Sequence, residues 1–369
     1  MVVVLALRRQ GFSFAKLSSV LPSLARFCKK DKLWHIVYMK NKAKILVLFS
    51  GGLDSILVAK MLKEQGTEIE LINFFTIFFG PETARQSAKE INLPLREVDM
   101  SEDFLVVLKK PKHGWGAGLN PCIDCHALML KKAGQIMKEE GFNAVATGEV
   151  LGERPMSQNR QALNIVEKDA EMAGYLLRPL SAKLLEPTLS EKEGLIDREK
   201  MLDISGRRRD KQMAMAKEFG IKNYPSPGGG CALTQKGFAA RLLELKKNKP
   251  DFSVHDAKLA IIGRHFWITL QRAQGILPER TPQPRGESKA DTQIILGRDK
   301  EENEFLKSQV KEGEVFIIPI NFNGPEALIK GNKISDEIIN QAKDLIVKFA
   351  PKARELKPEE LVFDIIRKQ

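Results

Sequence analysis

From residue 44 onwards, the chain alternates short apolar runs with segments whose apolar residues recur at helical spacing. The runs KILVLFS, EIELINFF, LREVDM and NAVATG have the length and the β-branched content that are typical of strands. Helical periodicity covers the intervening segments 54–65, 81–91 and 125–140. Repeated βα units at this spacing predict an α/β fold, in which a parallel sheet carries helices on both faces.

Beyond residue 150 the alternation weakens, although helices are predicted at 194–202, 209–219 and 234–247. The segments 246–251 and 275–289 have the composition of linkers. A last unit combines the strands TQIILG, EVFIIPI and EALIKG with helices over 299–309 and 335–349. The pattern therefore predicts a parallel α/β domain over 39–250 and a small carboxyl-terminal α/β domain over 251–369.

The first predicted strand ends in the sequence SGGLDS, which leads directly into a helix. Backbone N–H groups exposed by Gly51 and Gly52 at a helix N-terminus form a cradle for phosphate. Ser50 and Ser55 can add hydroxyl donors, and Asp54 can bind Mg²⁺ that bridges phosphates. An ordinary βα turn capped by Asp54 is the plain alternative, but the complete motif after a buried strand favours phosphate binding. The motif is neither a P-loop nor a dinucleotide fingerprint.

The formal net charge of +12 and the pI near 9.4 indicate a polyanionic partner. Residues 1–38 hold seven of the basic residues and a single acidic one. Their apolar run precedes the positive charges, unlike a secretory signal. We expect this extension to lie upstream of a natural start at Met39 or to be poorly ordered. No apolar run is long enough to span a bilayer, so we expect a cytoplasmic protein without a membrane partner.

Three cysteines remain outside that extension, which contains Cys28. Cys122 and Cys125 form a C-x-x-C at the entrance to a helix, whose N-terminus would lower the pKa of their thiols. Cys231 follows three glycines in the loop YPSPGGGCALT. An odd number of cysteines argues against a disulfide framework and favours reactive or metal-binding thiols.

Two chemistries fit three thiols. Three thiolates can hold a [4Fe–4S] cluster with one open iron, or one cysteine can carry a persulfide that another resolves as a disulfide. Zinc is a third option, but a structural zinc site needs a fourth ligand. His126 is more typical of a helix surface than of that ligand.

The S-G-G-x-D-S motif resembles the PP-loop of ATP pyrophosphatases, which cleave ATP between the α and β phosphates to adenylate a carbonyl oxygen. The segments ATGEVLGERPMSQNRQAL and LLRPLSAK are similar to the PP-loop domain of tRNA 4-thiouridine synthetases. This resemblance extends from about residue 44 to residue 245. It implies an adenine nucleotide alpha hydrolase-like fold, adenylation of a tRNA uridine carbonyl, and displacement of AMP by sulfur.

The resemblance also implies roles for particular residues. It assigns ATP binding to Ser50, Gly51, Gly52, Asp54 and Ser55, and the nucleotide pocket to Thr147 and Gly148. The residues at the substrate end of the site would be Ser157 and Gln158. Cys231 corresponds to the catalytic cysteine of the family, and Cys122 and Cys125 correspond to the additional cysteine pair found in members that depend on an iron–sulfur cluster. The sulfur donor, a cysteine desulfurase persulfide or sulfide, stays open. The loop around Cys231 also resembles 2-thiouridine transferases, so the modified position on uridine is open too.

The carboxyl-terminal segments IIGRHFW, IILGRDKEENEFL and GPEALIKG resemble the small RNA-binding unit of NFACT-type proteins. Residues 211–290 support RNA contact with 14 Lys and Arg against 6 Asp and Glu. The sequence therefore predicts a PP-loop domain over 39–250, an RNA-binding domain over 251–369, and ATP-dependent thiolation of tRNA. The alternatives are a PP-loop enzyme that activates a small-molecule carboxylate or carbonyl, and a non-enzymatic RNA-binding protein.

Overall fold

The structure, a computed structural model, describes residues 42–226, 230–268 and 292–368. The strands are β1 (Lys44–Leu48), β2 (Glu68–Phe75), β3 (Leu95–Asp99), β4 (Ala144–Ala146), β5 (Leu176–Leu177), β6 (Arg264–Ile268), β7 (Thr292–Leu296), β8 (Val315–Pro319), β9 (Ala327–Gly331) and β10 (Phe363–Arg367). The helices are α1 (Leu53–Glu64), α2 (Glu82–Glu90), α3 (Ser101–Lys109), α4 (Cys122–Glu140), α5 (Arg160–Asp169), α6 (Leu189–Lys192), α7 (Asp210–Glu218), α8 (Lys236–Asn248), α9 (Val254–Leu259), α10 (Lys300–Ser308) and α11 (Asp336–Lys348). Within the described residues, none of these helices has both the length and the apolar character needed to cross a bilayer.

The first sheet is parallel, with strand order β3-β2-β1-β4-β5. Its central strand β1 is buried because successive side chains point to opposite faces, and both faces are covered. Leu46 joins a hydrophobic core that includes residues of α3, α4, α5 and α8. Ile45 and Val47 join a second core with residues of α1, α2 and α7. The predicted parallel sheet with helices on both faces is confirmed.

The carboxyl ends of these strands collect the loops that carry the predicted site. The backbone N–H of Phe49 donates to the Ile72 carbonyl at 2.8 Å, and that of Thr147 donates to the Leu177 carbonyl at 2.9 Å. These bonds extend the sheet pairing beyond the ends of β1 and β4. The loops that follow β1 and β4 therefore start side by side at one edge of the sheet.

The second sheet is antiparallel, with strand order β10-β8-β9-β7-β6. Its β7 residue Ile294 packs in a core with α11, whereas Ile295 packs with Leu306 of α10. The helix α9 contributes to the cores on both sides of it, through Ala257 to the first sheet and Leu259 to the second. The predicted small carboxyl-terminal α/β unit is confirmed, and its boundary near residue 250 stays a prediction.

Two predictions of local structure are wrong. The helix predicted at 194–202 is replaced by α6 and a 3₁₀ turn at Arg198–Lys200, because Thr188 and Glu191 form a capping box that starts the helix earlier. The linker predicted at 246–251 lies on the last turn of α8 and in the turn before Phe252, which is buried. Neither the 1–38 extension nor the linker at 275–289 falls within the described residues.

Several elements were not predicted. The missed helices are α3, α5 and α9, and the missed strands are β5, β6 and β10. The strand β5 has only two residues, and the side chains of β6 are half-buried along its whole length. Neither strand has the alternating or continuous apolar pattern that identifies a strand from sequence.

Candidate active site

The S-G-G-x-D-S segment forms the turn between β1 and α1. Gly51 has a φ of +76°, and a Cβ atom at this position would lie 2.4 Å from the carbonyl oxygen of Thr83. The Gly51 carbonyl accepts a hydrogen bond of 2.8 Å from the buried hydroxyl of Ser87. The turn is thus held in backbone contact with the start of α2, and only glycine fits at residue 51.

The polar groups of this turn surround the N-terminus of α1. The Gly52 N–H donates to Ser50 Oγ at 3.3 Å, and Ser55 Oγ donates to the Gly52 carbonyl at 2.8 Å. A Cβ atom at Gly52 would approach nothing more closely than Ser50 Oγ, at 3.4 Å, so the space beside this amide is open. Two hydroxyls and the free N–H groups of the first helical turn therefore form a cradle for an anion.

The residues after β4 are in direct contact with this turn. A Cβ atom at Gly148 would lie 2.7 Å from the backbone nitrogen of Ser55 and 2.9 Å from the carbonyl carbon of Asp54. Thr147 beside it is buried. The structure thus brings Thr147 and Gly148 against the loop, and their assignment to a nucleotide pocket stays a prediction.

Asp54 lies in the first turn of α1 and faces Arg209 rather than solvent. Asp54 Oδ2 is 3.3 Å from Arg209 Nη2, and Glu153 Oε1 is 3.8 Å from Arg209 Nε. Asp54 Oδ1 is buried and makes no hydrogen bond of normal geometry among the described residues, although the nearby Gln212 side chain opposes the rise in the pKa of Asp54. Burial raises the pKa of Asp54 although Arg209 opposes this shift, and burial together with the charge of Asp54 raises the pKa of Glu153. A buried carboxylate oxygen next to an anion cradle has the donor chemistry that a divalent cation prefers.

A second polar network connects the T-G-E segment with the helix that carries the C-x-x-C. Glu149 is buried; its Oε1 is 2.8 Å from His126 Nδ1, and its Oε2 accepts a hydrogen bond of 2.9 Å from Arg178 Nε. Arg178 also donates to Glu167 Oε2 at 2.8 Å. Burial alone would raise the pKa of Glu149, but the charge of Arg178 and the hydrogen bond from His126 outweigh burial and lower this pKa to about 2. This network fixes the start of α4 relative to the loop after β4.

The buried pair of Glu149 and Arg178 makes a large contribution to folding that a substitution would reveal. Arg178→Met leaves the Glu149 carboxylate buried without its main partner, and we expect a loss of about 3–5 kcal/mol in the free energy of unfolding, measured with urea at neutral pH. The matched control is Arg85→Met, which removes an arginine from an exposed pair with Glu97 at 2.6 Å. That variant should change the free energy of unfolding little.

The same pair predicts how stability depends on pH. The pKa of Glu149 is lower in the folded protein than in the unfolded chain. The ionised carboxylate therefore adds its full contribution to the free energy of unfolding above the pKa of the unfolded state, and this contribution is lost as the pH falls towards 2. Wild type should therefore lose more stability than Arg178→Met between neutral and acid pH. An equal loss in both proteins would contradict the assignment.

The three cysteines lie at the same edge of the sheet. Cys122 and Cys125 occupy the first turn of α4, which begins three residues before the predicted start. The Asn120 side-chain amide donates to Cys122 Sγ at 3.1 Å. Next to Cys231, the Ala232 N–H donates to the Phe78 carbonyl at 2.9 Å, just beyond β2. The loop of Cys231 also receives a backbone hydrogen bond of 3.3 Å from the Leu119 N–H to the Leu233 carbonyl, close to Cys122.

The expectation that the helix N-terminus lowers the thiol pKa is wrong for Cys125. Burial raises the pKa of Cys125 well above its usual value, and the neighbouring Cys231 and Cys122 raise it further. Burial also raises the pKa of Cys231 to about 11. Within the part of the chain that the structure describes, no group of three or more His, Cys, Asp or Glu side chains is arranged to hold a metal ion.

Ser157 and Gln158 are both buried, in the turn that follows Glu153. The Gln158 carbonyl accepts a hydrogen bond of 2.7 Å from the Gly152 N–H, whereas its side-chain oxygen Oε1 has no partner among the described residues. An unpartnered buried amide oxygen is costly unless a ligand satisfies it. The assignment of these two residues to a substrate stays a prediction.

Four contacts of the site were missed from the sequence: the pairings of His126 with Glu149, of Arg178 with Glu149, and of Arg209 with Asp54 and with Glu153. His126 was expected on a helix surface, but its side chain is half-buried against Glu149. The available signal was the acidic residue of T-G-E, because a glutamate at the end of a buried strand needs a cationic partner. The arginine run at 207–209 offered no such local signal.

Comparison with known families identifies two parts of the chain. Residues 40–184 match the family model described as Thiamine biosynthesis protein (ThiI). This segment is a ThiI PP-loop domain. Residues 287–363 match the model described as NFACT protein RNA binding domain. Both resemblances predicted from the sequence are confirmed. The ThiI match includes the loop after β1, the C-x-x-C and the T-G-E segment, and it ends before Arg209 and Cys231.

Curated relatives share part of their length with this chain. A probable tRNA sulfurtransferase of Thermococcus kodakarensis is 28% identical over 163 residues, which cover 42% of this chain and 41% of the relative. The tRNA-specific 2-thiouridylase MnmA of Caldicellulosiruptor saccharolyticus is 30% identical over 173 residues, which cover 40% of this chain and 47% of the relative. MnmA of Clostridioides difficile is 26% identical over 263 residues, which cover 63% of this chain and 68% of the relative. The chain thus spans less than half of the first two relatives.

A solved structure described as a 4-thiouridine synthetase–RNA complex with bound ATP matches with a TM-score of 0.35 and 21% identity. The match covers 59% of this chain and 53% of the solved one. This similarity is too low to support an inference about the site. The α/β assignment of the ThiI domain depends instead on its own parallel sheet.

Proposed function

We propose that this protein is an ATP-dependent tRNA sulfurtransferase, which replaces a uridine carbonyl oxygen by sulfur and forms AMP and pyrophosphate. The observation that carries the proposal is that the loop after β1 and three cysteines lie at one edge of the parallel sheet. An anion cradle and a set of thiols are the two parts that adenylation followed by sulfur transfer requires. The relatives named tRNA sulfurtransferase and tRNA-specific 2-thiouridylase support the same reaction.

In this proposal the triphosphate of ATP binds at the N-terminus of α1. Ser50, Gly51, Gly52 and Ser55 hold the pyrophosphate part through backbone N–H groups and hydroxyls, while Thr147 and Gly148 flank the nucleotide. Asp54 supplies a ligand for Mg²⁺, with Glu153 as its nearest acidic neighbour. The buried Asp54 Oδ1 atom fits that assignment, because a bound cation would satisfy it.

The reaction then has two steps. The uridine carbonyl oxygen attacks the α-phosphorus of ATP, the bond between the α and β phosphates breaks, and pyrophosphate leaves. Sulfur next adds to the activated carbon, the carbon–oxygen bond breaks, and AMP leaves with the former carbonyl oxygen. The cradle accelerates the first step because its donors and the cation stabilise the negative charge that develops on pyrophosphate.

Cys122, Cys125 and Cys231 supply the sulfur chemistry of this proposal. Three thiols without a fourth protein ligand have the donor chemistry for a [4Fe–4S] cluster, although the described side chains are not arranged as a ligand set. When bound, such a cluster offers one open iron to sulfide. The persulfide route stays the alternative; in it Cys231 receives sulfane sulfur from a cysteine desulfurase persulfide, and a partner cysteine resolves the Cys231 persulfide as a disulfide when the outer sulfur passes to uridine.

The tRNA partner is supported by two features of the chain. The segment 287–363 matches an RNA-binding family, and the relatives are named as tRNA-modifying proteins. A tRNA substrate agrees with the cytoplasmic location expected from the sequence. Ser157 and Gln158, near the Asp54–Glu153 pair, are assigned to the substrate end of the site. Mass spectrometry of nucleosides from tRNA incubated with the protein, ATP and sulfide tests the function, and a sulfur-containing uridine is the expected product.

A further inference from the structure

Trp115 is an exposed aromatic residue that the proposed reaction does not use. Its side chain is 42% exposed, yet it is held firmly, because Nε1 donates a hydrogen bond of 3.2 Å to the Leu108 carbonyl. Lys246 covers the ring, with its Nζ 4.2 Å from the ring centroid. The same Nζ donates to the Lys109 carbonyl at 3.0 Å, which fixes it in place. The ring is therefore a rigid flat surface with a cation on it.

Lysines lie on the two helix ends that hold this ring. Lys109 and Lys110 end α3, and Lys246 and Lys247 lie in the last turn of α8. Among the described residues, ion pairs are formed by Lys112 with Asp169 and by Lys249 with Asp256, but by none of these four lysines. We call Trp115 together with these four lysines the Trp115 surface. It combines an aromatic face with uncompensated positive charge.

We propose that the Trp115 surface binds an unpaired nucleotide of the RNA, with the base stacked on the indole ring and the phosphates near the lysines. This inference rests on the proposed function, which requires an RNA substrate. Aromatic rings beside lysines are the usual means of holding single-stranded nucleic acid, because every base has a face that stacks and every nucleotide carries a phosphate.

The position of Trp115 connects this surface with the thiols. Trp115 lies in the loop that leads to Cys122, the first residue of α4, and this loop is closed by a hydrogen bond of 2.9 Å from the Gly116 N–H to the Asn120 carbonyl. Asn120 in turn donates to Cys122 Sγ. On the other side, Lys246 belongs to α8, which follows the loop of Cys231. A nucleotide held on Trp115 is thus anchored to the two segments that carry the cysteines.

The test measures binding of an unmodified, fluorescein-labelled tRNA transcript to the full-length protein without ATP. Trp115→Ala should weaken binding about ten-fold, the effect of removing one stacked base. Trp115→Phe should retain most of the affinity, because phenylalanine also stacks. The matched control is Tyr175→Ala, which removes an exposed aromatic residue beside the amino end of β5 and should bind as wild type does. Lys247→Gln should weaken binding and lower its salt dependence by about one phosphate contact.

A second measurement does not depend on the alanine variant being folded. Addition of tRNA should quench tryptophan fluorescence in wild type more than in Trp115→Phe. Equal quenching in these two proteins, or equal tRNA affinity of Trp115→Ala and Tyr175→Ala, would overturn the inference. Loss of affinity in Trp115→Ala, in a protein that forms no thiolated nucleoside, would uphold the Trp115 surface and reject the proposed function. A protein that thiolates tRNA, but whose tRNA affinity is unchanged by Trp115→Ala, would uphold the proposed function and reject the Trp115 surface.

Discussion

Asp54→Asn should reduce pyrophosphate release by about 100-fold or more, while wild type converts ATP to AMP and pyrophosphate in the presence of tRNA. The reason is that asparagine keeps the shape of the side chain but removes the charge that would hold a cation against the developing pyrophosphate. Burial raises the pKa of Asp54, so its ionised form costs folding stability at neutral pH. The variant should therefore unfold at a denaturant concentration equal to or above that of wild type.

The control for this variant is Asp203→Asn. Asp203 is an exposed carboxylate that pairs with Lys211 at 2.9 Å, away from the loop after β1. It should leave pyrophosphate release unchanged. Formation of ADP and phosphate by wild type, or normal pyrophosphate release by Asp54→Asn, would contradict the assignment of Asp54.

Replacement of Cys122, Cys125 or Cys231 by alanine, one at a time, should abolish thiolation of tRNA. If the three thiols hold a [4Fe–4S] cluster, anaerobic reconstitution should give brown wild-type protein with about four irons per chain, and each single variant should lose that iron. Adenylation should persist in these variants, because the loop after β1 is intact. Iron content, absorbance and pyrophosphate release measured on the same samples separate the two effects.

Cys28→Ala is the matched control, since Cys28 is the fourth cysteine of the chain and lies outside the predicted site. It should retain both iron and thiolation. Colourless wild-type protein after anaerobic reconstitution, with thiolation retained in Cys122→Ala or Cys125→Ala, would reject the cluster and leave Cys231 as a sulfur carrier. Thiolation retained in Cys231→Ala would contradict the assignment of that residue.

The parallel sheet of the ThiI domain could be predicted because its signals are local. The strand β1 is apolar after Lys44 and the glycines of the next turn follow it closely, so the local sequence indicates both the strand and the candidate phosphate cradle. The parallel direction of the strands follows from repeated βα units, whereas the strand order was not predicted. Helix ends were harder to predict: the capping box at Thr188 and Glu191 decided where α6 begins, against the apolar spacing that predicted a helix at 194–202.

The partners within the site could not be predicted, since they depend on contacts between distant segments. Arg209 meets Asp54 across 155 positions of the chain, and no local pattern around either residue indicates the other. The thiol pKa shows the same dependence on tertiary structure. A helix N-terminus lowers a thiol pKa, but burial of Cys125 beside two other thiols outweighs this effect.

The measurement that tests the central claim most directly is mass spectrometry of nucleosides from an unmodified tRNA transcript, after anaerobic incubation with the protein and ATP, with sulfide in one sample and a cysteine desulfurase plus cysteine in another. We predict a uridine in which sulfur replaces one carbonyl oxygen, formed only when ATP is present and in step with AMP. The Asp54→Asn variant should form none. An unchanged nucleoside profile, from protein that binds tRNA and releases pyrophosphate, would contradict tRNA thiolation and favour adenylation of another carbonyl substrate.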